Sequence, residues 1–399
     1  MDGGSIAWVL TSCALVLFMT PGLALFYGGM VRSKNVLNML MKNFITIGIV
    51  SVLWAVVGFT IAFGTDAGGI LGGLDYLGLG GVEGDFLLFM VFQMMFAIIT
   101  PALISGAVAE RMKFTAWVIF TAAWALIVYP IVAHWAFSPD GWLYAWGVRD
   151  FAGGLVVHIN AGIAALALVF ALGPRKGFGA EQMRPHSVPL TLLGTGILWF
   201  GWFGFNAGSA FAADGLAVNA FVTTQLAAAV ATLAWVATEW VRGGRPTSLG
   251  AAAGAVAGLV AITPAAGYVS PMSAIAIGAA AGVICCLAVS LKFRFGYDDS
   301  LDVVAVHLVG GIVGSLAVGI FASSAINPSV ADGLIAGGGL ELLVKQAVAV
   351  LAVIVFTFVV SYALARVIKA ATGLRVDDED EVRGLDISLH DERGYSLVD

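Results

Sequence analysis

Polar residues in this chain are gathered into short breaks between long apolar runs. About 20 apolar residues are needed to cross ~30 Å of hydrocarbon. Eleven runs meet that length, near 6–30, 38–63, 86–109, 114–135, 150–172, 188–211, 218–241, 249–267, 272–291, 301–323 and 339–371. Backbone polar groups in lipid must be satisfied within their own segment, so each run is predicted as a membrane-spanning helix. The last run is longer than one crossing needs, and is expected to tilt steeply or to continue past the membrane. Because Met1-Asp2-Gly3-Gly4 carries no basic residue, the run from Ile6 onward reads as a retained first span and not as a cleaved leader.

The polar breaks alternate in sign. Arg32, Lys34 and Lys42 follow the first run, Arg111 and Lys113 the third, Arg175, Lys176 and Arg184 the fifth, Arg242 and Arg245 the seventh, Lys292 and Arg294 the ninth, and Arg366, Lys369 and Arg375 the eleventh. The intervening breaks carry Asp66, Asp75, Glu83, Asp85, Asp140, Asp214 and Asp332, with Arg149 as their one basic residue. Short cytoplasmic loops collect Lys and Arg, so the N-terminus is expected outside and the C-terminus inside.

Composition agrees with an all-α integral membrane protein: of 399 residues, 60% are hydrophobic and 11% charged, against roughly 25% charged in a soluble domain. Mean hydropathy is +0.97. The net charge of -6 is held in loops and tail, and nothing in it points to nucleic acid. Cys13, Cys285 and Cys286 lie in apolar runs without zinc or redox spacing, so neither a disulfide framework nor a metal cluster is indicated, and no cofactor is expected.

Two internal echoes order the spans. Asp150-Phe-Ala-Gly-Gly-Leu-Val-Val-His158-Ile-Asn-Ala-Gly162 in the fifth run is answered by Asp299-Ser-Leu-Asp302-Val-Val-Ala-Val-His307-Leu-Val-Gly-Gly311 in the tenth. Ile99-Thr100-Pro101-Ala102 in the third is answered by Ile262-Thr263-Pro264-Ala265 in the eighth. Both pairs lie five spans apart, and five is odd, so the halves must cross in opposite senses. That is an inverted 5+5 repeat, about 6–172 and 188–323, with a substrate path between the halves. A long eleventh helix, about 339–371, completes a membrane domain over 1–372, and 373–399 forms a cytoplasmic tail. Each histidine stands eight residues past its aspartate, or ~12 Å along a helix. The two approach mid-bilayer from opposite faces and are expected to meet.

Ionisable groups at such depth are costly, so His158 and His307 are functional candidates. Paired imidazoles sharing one proton offer a donor and an acceptor, and titrate near neutral pH, which suits passage or relay of a small nitrogenous solute. Buried core histidines bonded to backbone are the plainer reading. A metal centre would be short of ligands, because no carboxylate or cysteine accompanies them in the membrane. Asp150 and Asp299 are placed to cap helices, and Asp150 would also favour a cation at the outer end of a path. An intramembrane hydrolase lacks a Gly-x-Ser-x-Gly elbow, and glycine-rich 68–84 lacks the Lys-Ser/Thr ending of a phosphate loop. Aromatics cluster in Phe92-Gln93-Met-Met-Phe96, in His134-Trp135-Ala-Phe137 and in Trp199-Phe-Gly-Trp202-Phe-Gly-Phe205-Asn-Ala-Gly-Ser209. Most membrane aromatics pack or form interfacial belts, but ring faces beside a hydroxyl can hold a small cation.

With these residues in view, the sequence resembles the Amt/MEP/Rh ammonium transporters, specifically the bacterial and archaeal Amt type, over essentially its whole length. The most specific pieces are Asp150 to His158, Trp199 to Ser209, Pro21-Gly-Leu-Ala-Leu-Phe26-Tyr27-Gly-Gly and Gly384-Leu385-Asp386. The resemblance implies ammonium transport across the cytoplasmic membrane, without enzymatic activity, by a homotrimer of eleven-helix protomers, each with its own pore. It implies that Phe96, Phe137 and Ser209, supported by Asp150, recruit ammonium at the outer face. Phe96 and Phe205 then form a gate at which the proton is lost, and His158 and His307 line the pore with Trp202. Tyr27 and Asp299 are supporting residues. It also implies that a trimeric PII-type signalling protein docks on the cytoplasmic tail and loops.

Two positions depart from the family pattern. Phe137 stands where the family usually has Trp, followed by Ser138-Pro139-Asp140-Gly141 in place of three glycines, and Leu155 stands three residues before His158 where Thr or Met is usual. Phe binds a cation less well than Trp, so recruitment is expected to be weaker or reshaped, with Trp142 the candidate substitute. The altered outer site also motivates a second reading: an ammonium receptor that binds, hardly conducts and reports through its tail. Sensors usually carry a fused signalling domain, and only about 28 residues follow the last span here, so the transporter reading is preferred.

Overall fold

The computed structural model describes residues 1–395 and is almost wholly helical. The helical segments are α1 (Gly3–Met30), α2 (Ser33–Phe63), α3 (Gly84–Ile104), α4 (Phe114–Trp146), α5 (Gly154–Leu172), α6 (Val188–Ala210), α7 (Gly215–Val241), α8 (Ser248–Ile262), α9 (Pro271–Phe295), α10 (Val304–Phe321) and α11 (Glu341–Thr372). Ten are long and apolar enough to cross a membrane, and α8 is an apolar helix of 15 residues. Two short helices, α12 (Asp378–Arg383) and α13 (Leu385–His390), follow. Asp66–Ala67 and Leu71–Gly72 pair in a small antiparallel hairpin beyond α2.

Local chemistry sets the boundaries. Asp2, Ser187, Asp214, Thr247 and Ser270 each accept from a backbone N–H in the first turn of α1, α6, α7, α8 and α9, the usual role of an N-cap oxygen. The fourth run extends beyond the expected 114–135. It is interrupted at Val128, two residues before Pro130, and again over Ser138–Gly141 around Pro139, because a proline supplies no N–H to the helix ladder. The fifth and tenth runs start helical at Gly154 and Val304, later than the aspartates suggested. Both open with a wide π-helical turn, a rare geometry often found at functional sites, and these turns carry His158 and His307.

Packing depends on small residues, as expected where lipid gives no hydrophobic drive between helices. A Cβ placed on Gly194 of α6 would lie 2.7 Å from Phe26 Cα of α1, and one on Gly201 would lie 2.7 Å from Leu15 O. On the other side of the bundle, a Cβ on Gly258 of α8 would come 2.9 Å from Ala228 Cα of α7. α11 lies along α5 and α10.

At the end of the bundle away from the hairpin, five charged groups form a chain through four breaks. Arg32 pairs with Glu110 at 2.8 Å, Glu110 with Arg175 at 3.0 Å, Arg175 with Asp298 at 2.8 Å, and Arg111 approaches Asp298 at 3.9 Å. Burial works to raise the Glu110 and Asp298 carboxyls, but the guanidiniums around them outweigh it and hold both below the ordinary range. The tail docks on this network: Val376 N donates to Arg111 O at 3.0 Å, Lys176 N to Glu381 Oε1 at 2.7 Å, and Leu385 N to Asn35 Oδ1 at 2.9 Å. Asp386 accepts from the backbone N–H groups of Leu37 and Asn38 at 3.0 and 2.8 Å.

Candidate functional site: a histidine pair below a shut pair of rings

The two halves of the chain touch at α5 and α10, and the histidines meet there. His158 Nδ1 and His307 Nδ1 lie 3.2 Å apart, both side chains buried, the rings nearly parallel at 24°. One Nδ1 must carry hydrogen and donate while the other accepts, so the pair holds a single proton across the contact. Its position follows from sequence: each histidine is followed four residues later by a glycine, one turn on and on the same helix face. A Cβ on Gly162 would lie 2.7 Å from Leu308 Cα, and one on Gly311 would lie 2.8 Å from Ile159 Cγ1. The backbones therefore close together immediately beside the imidazoles. Gly162→Ala is expected to cost about 1–3 kcal/mol by overpacking, read as a lower melting temperature in detergent. Gly196→Ala, with nothing within 4 Å of the new carbon, is expected to be neutral. Equal melting temperatures for both would contradict this account.

Asp150 secures the start of α5. Its carboxylate accepts from the N–H groups of Gly153, Gly154, Leu155 and Val156 at 2.9, 2.6, 2.8 and 3.1 Å. Leu155, the departure from the family pattern, contributes here through its backbone. Asp299 does the corresponding work for α10 with one bond, to Val304 N at 2.7 Å. Its carboxyl is pushed up to about 6, by burial first and by the neighbouring Asp302 carboxylate next.

A cavity of ≈ 10 Å³ runs beside the pair, walled by His158, His307, Trp202, Phe205, Phe26 and aliphatic side chains. That is space for about one water-sized molecule. Trp202 stacks on His158 with centroids 5.4 Å apart and is held by donating to Thr263 Oγ1 at 2.8 Å. Phe205 also stacks on His158, at 5.9 Å. Toward the hairpin, Phe96 and Phe205 close over the cavity with centroids 4.2 Å apart. Tyr27 lies at the other end, donating to Leu103 O at 3.0 Å, with its ring over Gly106.

Above the ring pair a mouth of ≈ 300 Å³ is lined by Phe96, Phe137, Asp150 and Ser209 together with Gln93, Tyr144, Phe211 and Ser329. Ser209 sits on a 3-10 turn ending α6 and donates to Phe205 O at 2.8 Å, leaving its lone pairs to accept from a solute. All four residues expected at the outer site therefore share one chamber. Trp142, the candidate substitute for the usual tryptophan, is not among the residues lining this chamber. Its ring packs edge-on against Trp135 at 5.7 Å and its backbone N–H donates to Gly69 O. Tyr144 lines the chamber instead, because Pro139 turns the chain back and starts a new helical turn at Trp142. Of the residues missed from sequence, Gln93 had one signal, an amide three positions before Phe96 in an apolar span. Tyr144 and Phe211 had none.

Comparison with known proteins gives one family. A model described as the Ammonium Transporter Family matches residues 7–395. An ammonium transporter of Mycobacterium tuberculosis is 51% identical, over 100% of this chain and 91% of that protein. Ammonium transporter Amt1 of Archaeoglobus fulgidus is 48% identical, over 99% and 100%. Among solved structures, a sensor Amt protein superposes with a TM-score of 0.91 at 33% identity, covering 97% of this chain and 98% of that one. Saccharomyces cerevisiae Mep2 superposes at 0.89 and 34%, covering 95% and 88%.

Proposed function

Since the chain belongs to the ammonium transporter family, as a multi-pass membrane protein and not an enzyme, we propose a residue-level route for ammonium through it. The cation is gathered in the mouth by the ring faces of Phe137 and Phe96, by the Ser209 hydroxyl and by the Asp150 charge behind them. An ion could enter the dry cavity below only by losing its hydration, a cost of several kcal/mol. Ammonium therefore gives up its proton at the Phe96–Phe205 gate to the unprotonated Nε2 of the histidine pair, His158 being the imidazole stacked on Phe205. Neutral ammonia, with three donors and one acceptor, then passes between Trp202 and the pair His158–His307, whose Nδ1–Nδ1 hydrogen bond leaves one Nε2–H as a donor and the other Nε2 as an acceptor. The same imidazoles can relay the released proton. Tyr27 and Asp299 hold the inner end in shape. The observation that carries this reading is the 3.2 Å contact between the two Nδ1 atoms beside space for a single small molecule.

The same proposal takes α8 as an eleventh crossing, α1–α5 and α6–α10 as an inverted repeat, and α11 as an addition outside it. The glycine and aspartate placed alike around His158 and His307 support the repeat. It sets the protein in the cytoplasmic membrane, N-terminus outside and tail inside, as a homotrimer whose exposed apolar helix faces are covered by lipid and by sister protomers. A PII-type signalling protein is the partner proposed for the inner face.

Ammonium pulses over proteoliposomes on a solid-supported membrane should evoke transient currents. Phe137→Trp should lower the half-saturating concentration, by roughly two- to tenfold if a cation–π contact of about 0.5–1.5 kcal/mol is gained. The second reading, a sensor, is supported by the backbone shared with a solved sensor Amt protein and by the closed ring pair. Absence of both current and ammonium uptake, with ammonium binding retained, would favour the sensor and end the transport proposal.

A further inference from the structure

We infer that Arg149 is a specificity-determining residue of the outer mouth: its fixed positive charge lowers cation occupancy there and sets a weak, salt-dependent affinity for ammonium. The inference rests on the reading of this chamber as the ammonium-recruiting site.

The charge is fixed directly behind the wall. Arg149 Nη1 donates to Tyr144 O at 3.0 Å and to Val148 O at 2.8 Å, and Nε donates to Ser329 O at 2.8 Å. Its guanidinium carbon lies 4.4 Å from the centroid of the Tyr144 ring. Tyr144 and Ser329 both line the mouth, as does Asp150, the next residue along the chain. Three carbonyls and a ring face thus clamp a permanent cation behind lining residues of the chamber in which an ammonium ion would be collected.

Two consequences follow from that geometry. A π face attracts one cation per side, and the side of Tyr144 under the guanidinium is taken, so that face is closed to a substrate cation. Second, Asp150 no longer acts alone. Both its oxygens are engaged by four backbone N–H groups, and a positive group is attached to the adjacent residue. Repulsion between unit charges several ångströms apart in a wet chamber corresponds to a roughly two- to fivefold change in occupancy. It fades as the screening length shrinks from about 30 Å at 0.01 M salt to about 3 Å at 1 M.

The backbone at this position is held independently of the side chain. Arg149 N donates to Gln346 Oε1 and Arg149 O accepts from Gln346 Nε2, each at 2.9 Å. Arg149→Gln can therefore remove the charge while keeping a donor and the local fold, and Arg149→Lys keeps the charge without the planar fork.

The test compares half-saturating ammonium for wild type, Arg149→Gln and Arg149→Lys, at 0.01 M and at 1 M sodium chloride. It uses evoked currents in proteoliposomes and, in parallel, ammonium-induced thermal stabilisation of the detergent-solubilised protein. Arg149→Gln should bind roughly two- to fivefold more tightly at low salt and match wild type at high salt, with Arg149→Lys close to wild type throughout. Equal affinities for Arg149→Gln and wild type at low salt, or a difference that persists at high salt, would overturn the inference. A wild type that binds ammonium but shows neither current nor uptake would sink the transport reading alone, because the thermal shifts would still decide the role of Arg149.

Discussion

Ammonium-evoked current in the variant carrying both His158→Ala and His307→Ala is expected to fall at least about fivefold, or to persist only with selectivity over potassium lost. The two imidazoles are the polar lining of an otherwise apolar cavity of ≈ 10 Å³. A solute that gives up its hydrogen bonds with water and finds no partner there forfeits about 1–3 kcal/mol, or roughly 5–150-fold in flux. The alternative outcome arises from volume. Removing two rings opens the constriction, and a wider path admits hydrated ions. Recording ammonium and potassium currents on the same liposomes separates the outcomes. Wild-type flux with wild-type selectivity in the double variant would refute the proposed path.

The second large effect is on stability. Asp298→Ala should destabilise the protein by about 3–5 kcal/mol, the cost of stripping one partner from a buried ion pair. Asp298 holds Arg175 through two oxygens and faces Arg111, and all three side chains are nearly inaccessible. Thermal unfolding in detergent reads the loss. The pH dependence has a definite sign, because the Glu110 and Asp298 carboxyls sit below their ordinary values when folded. The unfolded state then binds more protons in the acid range, so their contribution is complete above the ordinary carboxylate pKa of about 4 and is lost as pH falls through the folded values. The difference in melting temperature between wild type and Asp298→Ala should be constant from pH 7 to about pH 5 and shrink below about pH 4. An equally stable variant, or identical acid profiles, would show that the network carries no such load.

The helices and the meeting of His158 with His307 were legible because both are set by one-dimensional quantities, run length and spacing, which a bilayer of fixed thickness converts into depth. The start of α5 was misplaced for a local reason. Asp150 satisfies N–H groups three to six residues ahead, so the chain between is held in a turn before the helix begins. The lining of the mouth was only half legible. Phe96, Phe137 and Ser209 announced themselves by residue type. The choice of Tyr144 over Trp142 depended on how Ser138–Gly141 folds back, which no spacing encodes. The ion-pair chain was hidden for a related reason: Arg175 and Asp298 are 123 residues apart, and only the folded bundle makes them neighbours.

The tail's return to the first break bears on how the molecule is made. Leu385 N reaches Asn35 across 350 residues of sequence, so the side-chain amide at the start of α2 waits for a partner made 350 residues later. At about 5–20 residues per second, that wait is roughly 20–70 s. Through that interval the nascent protein presents an unpaired surface at that end of the bundle, one that a membrane protease or chaperone could use to distinguish chains that have not yet reached Leu385.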